Sequence, residues 1–182
     1  MERYIYAKPC LLIGLVSLLF ACREREKDIV AAKSIIEVVS SNSEFSLLHS
    51  AILYSGMSDS LSRGTFTMFA PSDEAFEKIN VRNASTIKTL PKDSVKKFVK
   101  HHLLPRKVSY TQLTTGQLKN LSNGMLLVTK DADEDRLLIN RNRVIIPDIN
   151  VSNGLIQVID SVLVKLMYLF SSRHLRFGRL KD

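Results

Sequence analysis

Thr67-Met68-Phe69-Ala70-Pro71-Ser72-Asp73-Glu74-Ala75-Phe76 holds the end of a strand and the start of a helix within ten residues. Arg63-Gly64 marks a turn before it, and Thr65 to Phe69 is β-branched and aromatic, the composition of a strand. Pro71-Ser72 then makes a corner. Proline fixes φ and lacks an N–H, and the Ser72 hydroxyl can cap free amides ahead of a new helix. Asp73 and Glu74 put two carboxylates at the positive end of that helix's dipole.

Upstream, residues 29 to 55 read as helical. Asn42-Ser43 supplies a cap, Phe45, Leu48 and Ile52 recur at spacings of three and four, and Gly56 gives a stop. Downstream, Val95, Phe98, Val99, His102 and Leu103 share one face of a helix that starts at Pro91 and is expected to end near Pro105. Lys96, Lys97 and Lys100 fall off that face. The period then shortens to strands predicted at Val108 to Leu113, Met125 to Thr129, Arg136 to Asn140, Val144 to Ile146 and Leu155 to Val164. Helices first and strands second favour an α+β domain with a largely antiparallel sheet.

The chain of 182 residues allows one core, and 45% hydrophobic residues with only 7 Gly and 5 Pro exclude a disordered or repetitive chain. Its net charge of +8 is carried mainly by the ends. Met1 to Lys8 is basic, Leu11 to Ala21 is apolar, and at 11 residues the apolar run is short of the roughly 20 that span a bilayer. Residues 1–21 are therefore expected to be a secretory signal. Leu19-Phe20-Ala21-Cys22 resembles the lipobox of bacterial lipoproteins, which implies a lipoprotein signal peptide over 1–21, acylation of Cys22 as the membrane anchor and residues 22–32 as a tether; an ordinary signal or an uncleaved anchor in which Cys22 is incidental is the alternative. Acyl chains on that cysteine would hold the protein at the envelope.

Removing Arg3, Lys8 and Glu2 leaves 24 basic and 17 acidic residues. Residues 165 to 182 carry a net +4 of that excess, so residues 166–182 read as a basic tail and a candidate for contact with an anionic surface. Without Trp, and without basic and aromatic residues interleaved on a candidate sheet, a nucleic-acid partner is not expected. Cys10 lies in the signal, so the mature chain is left with Cys22 and no intramolecular disulfide.

Three segments resemble the fasciclin domain. Thr67 to Phe76 is similar to its first motif, and Asn153-Gly154-Leu155-Ile156-Gln157-Val158-Ile159-Asp160 to its second. Phe98 to Pro105 resembles the tyrosine-histidine segment between them. The similarity covers about residues 33–165 and implies a wedge of antiparallel strands with helices packed across it, helices mainly in the N-terminal half. Under it, Thr67, Phe69, Ala70, Pro71, Ser72, Phe76, His102, Asn153, Gly154 and Asp160 are family-motif residues with structural roles. Gln157 stands where the family usually has His, and His101 where it often has Tyr.

Taken with the lipobox-like Cys22, the resemblance implies a lipid-anchored envelope or cell-surface adhesion module that recognises a protein or glycan, with an envelope-organising role as the alternative. Neither an enzyme nor a cofactor is expected. Pro147-Asp148-Ile149 resembles the aspartate-isoleucine site through which some animal fasciclin domains engage integrins, which makes Asp148 and Ile149 candidate partner contacts. A turn-capping Asp148 and a buried Ile149 are the alternative. His102, on the apolar stripe, reads as a core histidine bonded to a neighbouring backbone or hydroxyl group, and His101 as solvated. The adjacent pair cannot share one metal, because ligands on a helix need spacings of three or four. Asp131-Ala132-Asp133-Glu134-Asp135 alternates acids like a calcium loop but has Arg136 where such a loop needs Gly, so no metal is expected. Asp59-Ser60-Leu61, Asp93-Ser94-Val95 and Asp160-Ser161-Val162 resemble the short O-glycosylation sequence of some Bacteroidetes.

Overall fold

The computed structural model describes residues 32–131 and 136–163. The expected signal, Cys22, the tether as far as residue 31, most of the acidic run and the basic tail lie outside them. The compact unit that contains the described residues begins at Ala32.

Helix α1 (Ile35–Ser41) opens with a capping box. Ser34 and Glu37 exchange bonds, Ser34 N–H donating to Glu37 Oε2 at 2.6 Å and Glu37 N–H to Ser34 Oγ at 3.4 Å. The bonds that its carboxylate accepts from the Ser34 N–H and, at 2.7 Å, from the Ser34 hydroxyl hold the Glu37 carboxyl below the usual carboxylate range. A 3-10 turn (Ser43–Phe45) capped by Asn42 leads into α2 (Ser46–Ser55). Gly56 ends α2 at φ 69°, a left-handed position that costs glycine little, and α3 (Ser58–Arg63) follows. Then come β1 (Phe66–Pro71), α4 (Asp73–Glu77), α5 (Ala84–Lys88) and α6 (Lys92–His101). Beyond α6 lie β2 (Leu103–Leu104), a 3-10 turn (Tyr110–Gln112), β3 (Gly116–Lys119), β4 (Met125–Lys130), β5 (Leu137–Ile139), β6 (Asn142–Val151) and β7 (Gly154–Ile159).

The seven strands form one sheet in the order β2-β1-β7-β6-β5-β4-β3. Every pair is antiparallel except β1 with β7, where Phe66 to Pro71 run parallel to Gly154 to Ile159. The fold is α+β with helices gathered in the N-terminal half, as the order of elements implies.

Side chains alternate across a strand, and β1 uses both of its faces. Met68 and Ala70 join a core built with the helices, including Ile35, Leu48, Ile52, Phe76, Val95, Phe98 and Val99. Phe69 faces a second core shared with Leu104, Leu126, Val128, Ile139 and Ile159. A strand buried on two faces reads as a continuous apolar run, which Met68-Phe69-Ala70 does.

The strand expected at Val144 to Ile146 runs further, over Asn142–Val151, and three other boundaries also differ from the sequence expectation. Helix α6 stops at His101 rather than near Pro105, because Leu103-Leu104 leaves it to pair with Thr67 and Met68 of β1. Val108 to Leu113 is no strand: the Thr67 hydroxyl holds Val108 N–H at 2.8 Å, and a Ser109/Gln112 capping box closes a 3-10 turn. The last strand ends at Ile159, where the Asp160 carboxylate accepts Arg143 N–H at 3.0 Å.

Candidate functional site

The β6–β7 turn ties three segments together through one side chain. Asn153 Oδ1 accepts the N–H of Ile35 at 2.8 Å, an amide that the first turn of α1 leaves without an intrahelical partner. Its Nδ2 donates to Leu61 O and, at 3.2 Å, to Gly64 O, carbonyls at the end of α3. Its own carbonyl accepts Phe66 N–H at 3.1 Å as β1 begins. Gly154 follows at φ 152°, and a Cβ there would lie 1.8 Å from Phe66 O. Only glycine allows β1 and β7 to approach so closely.

At the β1–α4 corner, the fully buried Thr67 donates its hydroxyl to Arg106 O at 2.8 Å while accepting Val108 N–H. Phe69 and Phe76 sit in the two different cores, Ala70 joins Phe76 in the larger one, and Pro71 is buried. Ser72 Oγ accepts Ala75 N–H at 3.3 Å and caps α4. Asp73, read from sequence only as a favourable charge, does something more specific. Its carboxylate accepts Leu47 N–H at 2.9 Å and the Ser46 hydroxyl, so it caps α2, whose own N-cap residue, Phe45, has no side chain to do so.

His102 is fully buried against Phe98, ring centroids 4.4 Å apart. Nε2 accepts the N–H of Leu163 at 3.0 Å, so the proton of the neutral ring resides on Nδ1, which donates to Phe98 O at 2.9 Å. Burial pushes its pKa down to about 3, against a smaller upward contribution from the Phe98 bond and a further lowering from His101. With both nitrogens held by the backbone, the ring has no free position for a substrate or metal. His101, expected to be solvated, is half-buried instead. Its Nδ1 lies 2.9 Å from Asn120 Nδ2 and 3.4 Å from Ser122 Oγ, and burial, then the Lys97 charge, lowers its pKa. The signal missed was Asn120, a buried amide whose Oδ1 gathers Ser122 N–H, Ser122 Oγ and Gly124 N–H.

Gln157, also fully buried, clasps Asp148 by two atoms. Gln157 Oε1 accepts Asp148 N–H at 3.0 Å, and Gln157 Nε2 donates to Asp148 Oδ1 at 2.7 Å. The same Oδ1 accepts Tyr110 N–H at 2.9 Å. Asp148 has φ 54° within a register shift between Ile146 and Ile149, a bulge that only a few residue types adopt comfortably. Asp148 and Ile149 are both half-buried, the carboxylate bonded inside the fold and Ile149 packed on the larger core, so they do not project as an exposed pair. At the end of β7, Asp160 receives Arg143 N–H, and its second oxygen lies 3.9 Å from Lys78 Nζ.

The polar motif residues are thus brought together with backbone groups rather than with one another. Among the described residues no group of three His, Cys, Asp or Glu side chains could hold a metal. Every buried side-chain nitrogen or oxygen there has a partner. No helix among them is long and apolar enough to cross a membrane. The open grooves lined by described residues include two. One, of about 290 Å³, has Ile145 and Ile146 exposed beside Glu44, Asp73 and Glu74. The other, of about 240 Å³, lies between α6 and the β3–β4 turn.

Comparison with known proteins accounts for this arrangement. The Fasciclin domain pattern matches residues 43–165. Protein sll1483 of Synechocystis sp. is 32% identical over 140 residues, 75% of this chain and 76% of that protein. A second Synechocystis protein, sll1735, is 32% identical over 133 residues, 72% of this chain and 97% of that one. Transforming growth factor-beta-induced protein ig-h3 of Sus scrofa is 27% identical over 137 residues, and the chain spans 19% of its length. Among solved structures, a FAS1 domain pair from the insect cell adhesion molecule fasciclin I superposes with a TM-score of 0.62 at 21% identity, covering 77% of this chain and 53% of that one. With a family pattern across most of its length and relatives about one third identical, the chain belongs to the Fasciclin domain family.

Proposed function

We propose that the protein is a lipid-anchored adhesion module of a bacterial envelope, displayed by Cys22 on a short charged tether to bind a protein or glycan partner. The observation that carries this reading is the Fasciclin domain itself, the module of the insect cell adhesion molecule fasciclin I. The site geometry supports it: Asn153, Thr67, His102 and Gln157 are all engaged in holding turns, caps and strand ends. Such a core serves as a rigid scaffold, and binding then falls to the solvent-facing grooves. The lipobox-like Leu19-Phe20-Ala21-Cys22 supports the anchor.

Fractionation of cells expressing the full chain and Cys22→Ala tests the anchor. The wild type is expected in membranes and the variant in the soluble or secreted fraction; equal membrane retention contradicts acylation of Cys22. Pull-down from envelope extracts tests the binding role, and a monodisperse domain that retains no protein or glycan counts against it.

A further inference from the structure

Helix α6 carries Lys96, Lys97 and Lys100 along one wall of the 240 Å³ groove, and Leu121, Ser122 and Asn123 form the other. Lys96 and Lys97 are exposed and Lys100 half-buried. None of the three makes an ion pair among the described residues, and Asp93 is the one acid lining the groove. Lys96 and Lys100 stand at i and i+4, and Lys97 and Lys100 at i and i+3, spacings at which like charges repel and destabilise a helix. An anion laid along the groove relieves that repulsion.

The opposite wall is fixed in place. Asn120 Oδ1 gathers Ser122 and Gly124, while Nδ1 of His101, the last residue of α6, accepts from Asn120 Nδ2 and lies 3.4 Å from Ser122 Oγ. The turn is thereby stitched to the helix that bears the lysines, a preorganisation that lowers the cost of binding. Beside the cations the wall offers a hydroxyl, an amide and a half-buried leucine, partners for sugar hydroxyls and for the apolar face of a sugar ring. No aromatic side chain lines the groove to stack a base. It is open and shallow, which suits a chain crossing it.

We propose that this groove binds an acidic polysaccharide through uronic-acid carboxylates, with Lys96, Lys97 and Lys100 as the cationic contacts and Ser122 and Asn123 as the hydroxyl-reading ones. This rests on the adhesion reading above and names its ligand class. The test is NMR titration of the isotope-labelled mature chain with a galacturonate hexamer. A neutral hexasaccharide, a glutamate hexapeptide and inorganic phosphate are titrated in parallel.

The acidic hexamer is expected to shift the amides of Ser122 and Asn123 and the ring of His101, and to bind more tightly than the other three. Lys96→Gln/Lys97→Gln/Lys100→Gln is expected to weaken it by about 3-fold to 150-fold, the range for three ion pairs formed at a solvent-facing groove. Lys33→Gln/Lys88→Gln/Lys107→Gln, the same loss of charge at exposed positions outside the groove lining, is expected to stay within about twofold of wild type because salt screens exposed charges that do not touch the ligand. Equal loss in both triple variants, equal binding of the peptide or phosphate, or no shift at Ser122 and Asn123 overturns the proposal. The titration does not depend on where the protein is displayed, so failure here leaves the anchor and exposure tests standing, and their failure leaves this one readable.

Discussion

Lowering the pH from 7 to 5 should destabilise the domain through His102. In the unfolded chain this imidazole titrates near 6.5, whereas in the fold it stays neutral down to about 3, because burial disfavours the charged ring. Between those values the unfolded state binds more protons, so stability falls as pH falls. The slope approaches about 1.4 kcal/mol per pH unit, and the integrated loss from pH 7 to pH 5 is about 2 kcal/mol. That is a large share of the 5–15 kcal/mol typical of a domain. Urea unfolding of the mature chain at both pH values measures it, and His102→Gln isolates it, since the variant keeps whatever His101 and the other histidines contribute. The variant should show about 2 kcal/mol less dependence on pH than the wild type, and the His102 ring resonance in the folded protein should not titrate above pH 5. Equal pH dependence in the two proteins, or a folded-state titration near 6.5, refutes the reasoning.

Gly154→Ala is expected to cost more than about 3 kcal/mol, because its φ is essentially glycine-only and the new Cβ would lie 1.8 Å from Phe66 O. Chemical denaturation checks it, and a loss under 1 kcal/mol means that β1 and β7 can separate cheaply. Asn153→Ala, which strips partners from Ile35 N–H, Leu61 O and Gly64 O, is expected to cost about 2–4 kcal/mol. Hydrogen exchange should show α1 and the end of α3 losing protection together; loss confined to the turn contradicts a clasp.

Much of the fold was legible where one local rule dominated. The Thr67 to Phe76 corner follows from a Pro-Ser dipeptide, and the α6 stripe from the spacing of Val95, Phe98 and Val99. Ser34-Ile35-Ile36-Glu37 carried a capping-box signature that could have fixed the start of α1. What could not be read locally depended on partners distant in sequence. Leu103-Leu104 is apolar enough to continue α6, and only its pairing with β1 makes it a strand. Val108 to Leu113 has strand composition, yet the Thr67 hydroxyl and Asp148 carboxylate claim its amides. The roles of Asp73 as the cap of α2 and of Gln157 as the clasp of Asp148 likewise span 26 and 9 residues, beyond any short motif. The Fasciclin motifs were recognisable because they mark the tightest of these places: the corner at Pro71-Ser72 and the close approach at Gly154.

Display at the cell surface is the claim on which the adhesion account depends, and protease shaving of intact cells followed by mass spectrometry tests it most directly. The account predicts release of peptides from residues 33–163, with Cys22→Ala cells releasing few because the protein is no longer retained. Complete protection in intact cells, with the same peptides appearing only after lysis, contradicts it.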